Sequence, residues 1–261
     1  MVDTPAPRKS LGQHWLDDQA SLPAICSAAY LDKNDTVLEV GPGPGTLTRL
    51  LAEKAGRVVA VELDEKRAAG LPERVQANNL EVVSEDILKL DLSRLHEGYK
   101  VVANIPYYLT GKLLRHLSED PNPPSRAVLL LQKEVAERVA AAPGAMSILS
   151  VTTQFYWNIS LGKVIPAALF TPPPKVDSQV LILERRQEPL FDDVEPDKFF
   201  RLVKAGFAQP RKTLLNNLSA GLRVSSAEAR AICERASLDP QRRAQTLGMD
   251  EWHSLYKSLN T

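Results

Sequence analysis

Asn104-Ile105-Pro106-Tyr107 brings a side-chain amide, a proline without an N–H and an aromatic ring together directly after the apolar run Val101-Val102-Ala103. That run predicts a short buried strand. The four residues then stand at its C-terminal end, where open α/β sheets bind their ligands. An amide can bond the exocyclic amine of a flat nitrogen base, and a ring can stack on its face. The same residues also read as a strand followed by a proline-containing turn, and the tetrapeptide alone does not separate the two.

A second set of residues points to a cofactor. Glu39-Val40-Gly41-Pro42-Gly43-Pro44-Gly45-Thr46 follows an apolar run and opens a helical pattern. Gly41 and Gly43 let the backbone pass close to a ligand. The dinucleotide fingerprint would need glycine at 46, where Thr46 stands, and Pro42 and Pro44 remove N–H groups that a pyrophosphate would use. A ligand without phosphates fits better. Glu62 ends the next predicted strand, placed to accept from both hydroxyls of a ribose. Asp86 follows the third strand, placed to accept from an adenine amine. Loop, ribose acid and base acid in this order suggest S-adenosylmethionine. Taken singly, Glu62 and Asp86 also read as helix caps or turn residues.

The elements that must carry these residues follow from hydrophobic periodicity. Strands are predicted at 37–40, 57–62, 80–83, 100–103 and 127–131. Helices are predicted over 17–30, 46–54, from 65 to 70 onward, over 110–117 and over 133–140. Strands alternating with helices indicate βαβ units and a mostly parallel sheet covered on both faces. Two later strands, at 158–165 and 179–184, are joined through Phe170-Thr171-Pro172-Pro173-Pro174 and suggest an antiparallel edge. From about Glu188 the apolar spacing is helical only. The expected class is therefore α/β, a Rossmann-like domain over 1–187, followed by a small all-α domain over 188–261. Residues 1 to about 12 read as a flexible arm.

Composition sets limits on function. The protein has 261 residues, 44% hydrophobic and 25% charged, which describes an ordinary globular protein with ample core. No apolar run is long enough to cross a bilayer, and Met1 to Ser10 shows no secretory pattern. Cys26 and Cys233 lie far apart and the four histidines are scattered, so no metal site is expected and free thiols in a reducing compartment are. The 32 basic and 32 acidic residues cancel, so contact with nucleic acid would need local clusters of cations. Lys204 with Arg201 upstream, and Arg211-Lys212, are the best of these; each also reads as a solvated face.

The ordered motifs resemble those of the small-subunit ribosomal RNA adenine dimethyltransferases. The likeness runs from Leu11-Gly12-Gln13-His14-Trp15-Leu16, through Glu39 to Thr48 and Asn104 to Tyr107. It continues in Phe170-Thr171-Pro172-Pro173-Pro174-Lys175-Val176-Asp177-Ser178 and Phe207-Ala208-Gln209-Pro210-Arg211-Lys212-Thr213. The resemblance implies that His14 and Leu16 close over the cofactor, with Gly41 and Gly43 at its methionine part, Glu62 at the ribose, and Asp86 and Ile87 at the adenine. Asn104 would lie between cofactor and target, with Ile105 and Pro106 completing the motif. Tyr107 and Phe170 would hold a flipped adenine; on its own, Phe170 reads equally as core beside a polyproline turn. Lys175 would join the cations that meet RNA. The sequence departs from the family pattern at His14-Trp15, Ile105, Glu85 and Gly111-Lys112.

The implied reaction is N6,N6-dimethylation of adenines in small-subunit ribosomal RNA during ribosome assembly. Its expected setting is a cytoplasmic monomer acting on an assembly intermediate, with no membrane partner. The amine of a purine is a poor nucleophile because its lone pair is delocalised into the ring. The amide oxygen of Asn104 and the backbone carbonyl of Ile105 would accept its N–H groups and localise that pair. Rival readings are an Erm-type large-subunit enzyme, a DNA adenine methyltransferase, and a non-catalytic assembly or transcription factor on the same fold.

Overall fold

The computed structural model describes residues 14–16, 18 and 20–259. The expected arm over 1–12, the motif residues Leu11, Gly12 and Gln13, and the start of the helix predicted from 17 lie outside them. In sequence order the elements begin with β1 (Trp15–Leu16), α1 (Ser21–Ala28), β2 (Thr36–Val40), α2 (Thr46–Lys54) and β3 (Arg57–Glu62). There follow α3 (Glu65–Val75), β4 (Leu80–Ser84), β5 (Lys100–Asn104), α4 (Thr110–Glu119), β6 (Arg126–Gln132) and α5 (Lys133–Val139). Next come α6 (Ile148–Tyr156), β7 (Trp157–Ile165), β8 (Phe170–Thr171) and β9 (Ser178–Arg185). Helices α7 (Pro196–Gly206), α8 (Leu214–Leu222), α9 (Ser226–Arg235) and α10 (Met249–Leu259) complete the order.

The protein divides into two compact units. One takes the residues up to Ala136 together with Asn158–Arg185; the other takes Glu137–Trp157 and the residues from Arg186 on. The late boundary falls close to the expected cut at 187. The excursion through 137–157 is not visible in the sequence pattern.

In the first unit a seven-stranded sheet runs in the order β4-β3-β2-β5-β6-β9-β7. Strands β4, β3, β2, β5 and β6 are parallel and β9 is antiparallel to β6. The parallel strands are apolar runs such as Val37-Leu38 and Val101-Val102-Ala103, all fully buried, as covering on both faces requires. The connections travel outward from β2 through β3 to β4, then return to β5 on its other side. This reversal opens a crevice beyond the carboxyl ends of β2 and β5. A separate two-stranded ribbon pairs β1 with β8, Leu16 opposite Phe170.

The second unit is helical around an aromatic core. Phe155 packs on Phe199 and Phe200 with ring centroids 5.4 and 5.3 Å apart. Burial of that ring is why α6 groups with the later helices. Trp252 of α10 stacks on Phe207 at 5.4 Å. Among the described residues no helix is long and apolar enough to cross a membrane, and no cluster of metal-ligating side chains occurs.

Candidate active site at the sheet's switch point

A cavity of about 270 Å³ occupies the crevice between the ends of β2 and β5. The turn after β2 supplies one wall. Gly41, Gly43 and Gly45 all have positive φ, and a Cβ on Gly45 would stand 2.9 Å from the side chains of Leu71 and Val75. Only glycine lets this turn adopt its path and still pack on α3. The Gly41 N–H donates to the Val61 carbonyl at 2.9 Å and the Gly45 N–H to Pro42 at 2.9 Å, so both are spent on the turn itself. With two prolines and two satisfied amides the loop makes a poor phosphate cradle, which agrees with a cofactor that has no pyrophosphate.

Three carboxyl groups line the cavity from successive strands, two of them at strand ends. Glu62 is 4% exposed, and its Oε1 accepts from the Asp64 N–H at 3.0 Å. Asp86 is held by the Leu88 N–H donating to its Oδ1 at 3.0 Å. In each, the bond to the local backbone fixes the carboxylate and leaves the second oxygen for a ligand. Glu39, within β2, is 1% exposed and its Oε2 has no hydrogen-bond partner among the described residues. Burial pushes its pKa up to about 8, with the Glu62 charge adding and the Thr48 hydroxyl opposing. Glu39 is therefore a neutral acid at neutral pH, able to donate a hydrogen bond. Leu63, 54% exposed, offers the cavity an apolar face beside Glu62. A ribose at Glu62 and an adenine between Leu63, Asp86 and Ile87 suit these groups.

The arm residues close the opposite side. The Asn104 Nδ2 donates to the His14 carbonyl at 3.0 Å, and the His14 Nδ1–H donates to the Pro172 carbonyl at 2.7 Å. The His14 ring stacks on Tyr107 at 5.9 Å. Trp15 lies over the turn, its Nε1 3.1 Å from where a Cβ on Gly43 would stand, with the Arg67 guanidinium 5.6 Å from its ring. These contacts tie β1 to both the cofactor turn and the Asn104 motif. Asn104 thus has its N–H side committed, and Oδ1 is the atom left to accept. The Tyr107 hydroxyl shares a hydrogen bond with Ser178 Oγ at 3.1 Å, and burial raises its pKa.

The cavity brings together His14, Leu16, Gly41, Gly43, Glu62, Asp86, Ile87, Asn104, Ile105, Pro106 and Tyr107 from separate stretches of sequence. Phe170 is not among its lining residues. Its ring is 3% exposed and packs with Leu16, Leu22 and Ile165 in the apolar cluster. In this structure the ring packs beside the β1–β8 ribbon and does not line the cavity. The exposed aromatic at the cavity is Tyr108. Glu39, Leu63, Trp15, Tyr108 and Lys112 line the site although sequence reasoning gave them no role in it. Glu39 carried the clearest signal, a charge inside the apolar run Val37-Leu38-Glu39-Val40. Lys175 is exposed in the first unit. In the second, Arg201 and Lys204 share an exposed face of α7 and Arg211-Lys212 occupy the exposed turn before α8.

The family model described as ribosomal RNA adenine dimethylase matches residues 6–261. A Dehalococcoides mccartyi protein named ribosomal RNA small subunit methyltransferase A is 44% identical over 252 residues, which cover 95% of this protein and 87% of that one. Its namesake in Alkaliphilus metalliredigens is 41% identical over 261 residues, covering 96% and 91%. Among solved structures, a dimethyladenosine transferase from Plasmodium falciparum aligns with a TM-score of 0.81 at 25% identity, covering 95% of this protein and 98% of that one. The 23S rRNA methyltransferase ErmE aligns with a TM-score of 0.76 at 28% identity, covering 95% and 100%.

Proposed function

From a protein that belongs to the ribosomal RNA adenine dimethylase family, we infer an enzyme that dimethylates N6 of adenines in small-subunit ribosomal RNA, using S-adenosylmethionine. One observation carries the mechanism: the Asn104 Nδ2 donates to the His14 carbonyl, which leaves Oδ1 as the atom available to accept at the cavity. When bound, the cofactor supplies an electrophilic methyl group on a sulfonium. Gly41 and Gly43 border its methionine part, Glu62 takes the ribose hydroxyls, and Asp86 with Ile87 takes its adenine. His14 and Leu16 close the arm over it.

The target base leaves its stack to enter the cavity. Tyr107, fixed by Ser178 and His14, offers it a rigid face. The Asn104 Oδ1 and the Ile105 carbonyl accept the two N–H groups of the target amine. That draws nitrogen toward a pyramidal geometry and frees its lone pair. The same oxygens stabilise positive charge growing on nitrogen, the counterpart of an oxyanion hole. Pro106 holds the turn that orients them. The product nitrogen, once cationic, is acidic enough to lose its proton to water. Alignment of amine and methyl supplies much of the remaining acceleration.

The first unit carries the catalytic cavity, and the second, which takes Glu137–Trp157 together with the residues from Arg186 on, is the part that meets RNA and the ribosome. Lys175, Arg201, Lys204, Arg211 and Lys212 supply phosphate contacts. The enzyme works as a cytoplasmic monomer on an assembly intermediate of the small subunit. The test supplies labelled cofactor together with immature small subunits, large-subunit RNA and DNA in one competition. Label is expected in small-subunit RNA. Label confined to large-subunit RNA or DNA contradicts the assignment.

A further inference from the structure

Tyr107 and Tyr108 are neighbours in sequence and both line the cavity, yet they are held differently. Tyr107 is bonded and stacked. Tyr108 is 62% exposed and makes no ring contact or side-chain hydrogen bond among the described residues. Four residues on, Lys112 is also exposed and lines the same mouth. It lines in addition an open groove that continues along α4 past Arg115 and His116 to Glu119 and Asp120. Arg115 is held by Glu119 at 2.7 Å, whereas Lys112 has no ion pair among the described residues.

Charge divides this region. Glu62, Glu85 and Asp86 line the interior of the cavity, which suits a sulfonium and an amine and repels phosphate. Lys112 lines both the cavity mouth and the mixed-charge groove, and it is the cation there that no carboxylate pairs among the described residues. An extruded nucleotide must still be joined by phosphate to a neighbour that has lost its stacking partner. That neighbour presents a bare base face, for which an aromatic ring is a sequence-tolerant partner. Its phosphate needs a cation outside the acidic interior.

We propose that Tyr108 and Lys112 seat the nucleotide adjoining the flipped adenosine, Tyr108 stacking on its base and Lys112 binding the phosphate that joins the two. The inference rests on reading the cavity as a site for adenine methylation in RNA. It assigns to α4 a role in holding the strand, separate from the acceptor chemistry of Asn104.

The test measures binding of immature small-subunit RNA to the full-length protein across a salt series, beside Tyr108→Ala, Tyr108→Phe and Lys112→Gln. Tyr108→Ala is expected to weaken binding roughly 5- to 150-fold, the range for losing one base–aromatic stack. Tyr108→Phe keeps the ring and should stay within about twofold of wild type, since the hydroxyl serves no partner. Lys112→Gln should reduce the slope of log affinity against log salt by about 0.7, the value for one phosphate contact on a single strand. A Tyr108→Ala protein that binds as wild type, or a salt slope unchanged in Lys112→Gln, overturns the proposal. Wild-type protein that methylates no small-subunit RNA overturns the underlying reading instead, and the seat with it.

Discussion

Asn104 does two jobs with two atoms, and its variants can separate them. Its Nδ2 donates to the His14 carbonyl at 3.0 Å, and on the proposed mechanism Oδ1 would accept from the target amine. Asn104→Ala removes both. Loss of a preorganised group that stabilises developing charge costs about 3–4 kcal/mol, or 10²–10³ in the transfer step. Loss of the arm bond costs about 1 kcal/mol, near fivefold in cofactor affinity. Asn104→Asp keeps an acceptor but has no N–H to give, and its charge opposes the His14 carbonyl. Single-turnover methylation at saturating cofactor reads the first effect; cofactor titration in the absence of RNA reads the second. The Ala variant should lose about 10²–10³ in the transfer rate, with Asp retaining most of it, while both bind cofactor more weakly. Equal transfer losses in Ala and Asp would refute the acceptor role. Wild-type cofactor affinity in both would refute the arm coupling.

The other expectations concern groups buried around the site. Glu39, raised to about 8, holds a proton in the folded protein that the unfolded state releases at an ordinary carboxyl pKa. Its contribution to stability is full below that lower value, falls by at most about 1.4 kcal/mol per pH unit as pH rises, and levels off above the folded pKa. Glu39→Gln should flatten that fall in urea unfolding between about pH 5 and 8.5, and parallel wild-type and variant profiles would rule out a buried neutral acid. Gly45→Ala forces a side chain into left-handed backbone and against Leu71 and Val75, costing about 2–4 kcal/mol by urea midpoint. A loss under about 0.5 kcal/mol would show that the turn can relax. Phe170→Leu should cost about 1 kcal/mol and retain turnover, because the ring packs rather than stacks on a base. A stable Phe170→Leu protein that loses RNA turnover would restore the ring to the target pocket.

The parallel sheet was legible in the sequence because its strands are unbroken apolar runs bounded by turns. Helix α2 was clear for a different reason: Gly45 and Thr46 mark its start as sharply as Ala55-Gly56 mark its end. Most of the residues that line the cavity were legible because they stand at or just after strand ends, and strand ends converge at the switch between β2 and β5. Helix α6 was not. Its Val151-Thr152-Thr153 run is β-branched and weakly helical, and its best cue is the reciprocal Ser147–Ser150 cap. The β1–β8 ribbon was also hidden, since two-residue strands leave no periodicity. The burial of Phe170 beside Leu16 belongs to that ribbon and was hidden with it. Tyr108 carried no signal of its own and Lys112 stood out only as a departure from the family pattern; the cavity's shape brings them to one mouth.

A cavity that frees the lone pair of an adenine N6 must accept the same nitrogen twice if it is to dimethylate. Mass spectrometry of nucleosides from immature small-subunit RNA, treated with the enzyme and cofactor to completion, reads this outcome without intermediaries. N6,N6-dimethyladenosine is the expected product, with N6-methyladenosine only as an early species that is consumed. Methyl groups on a ring nitrogen, or N6-methyladenosine as the final product, would contradict the mechanism.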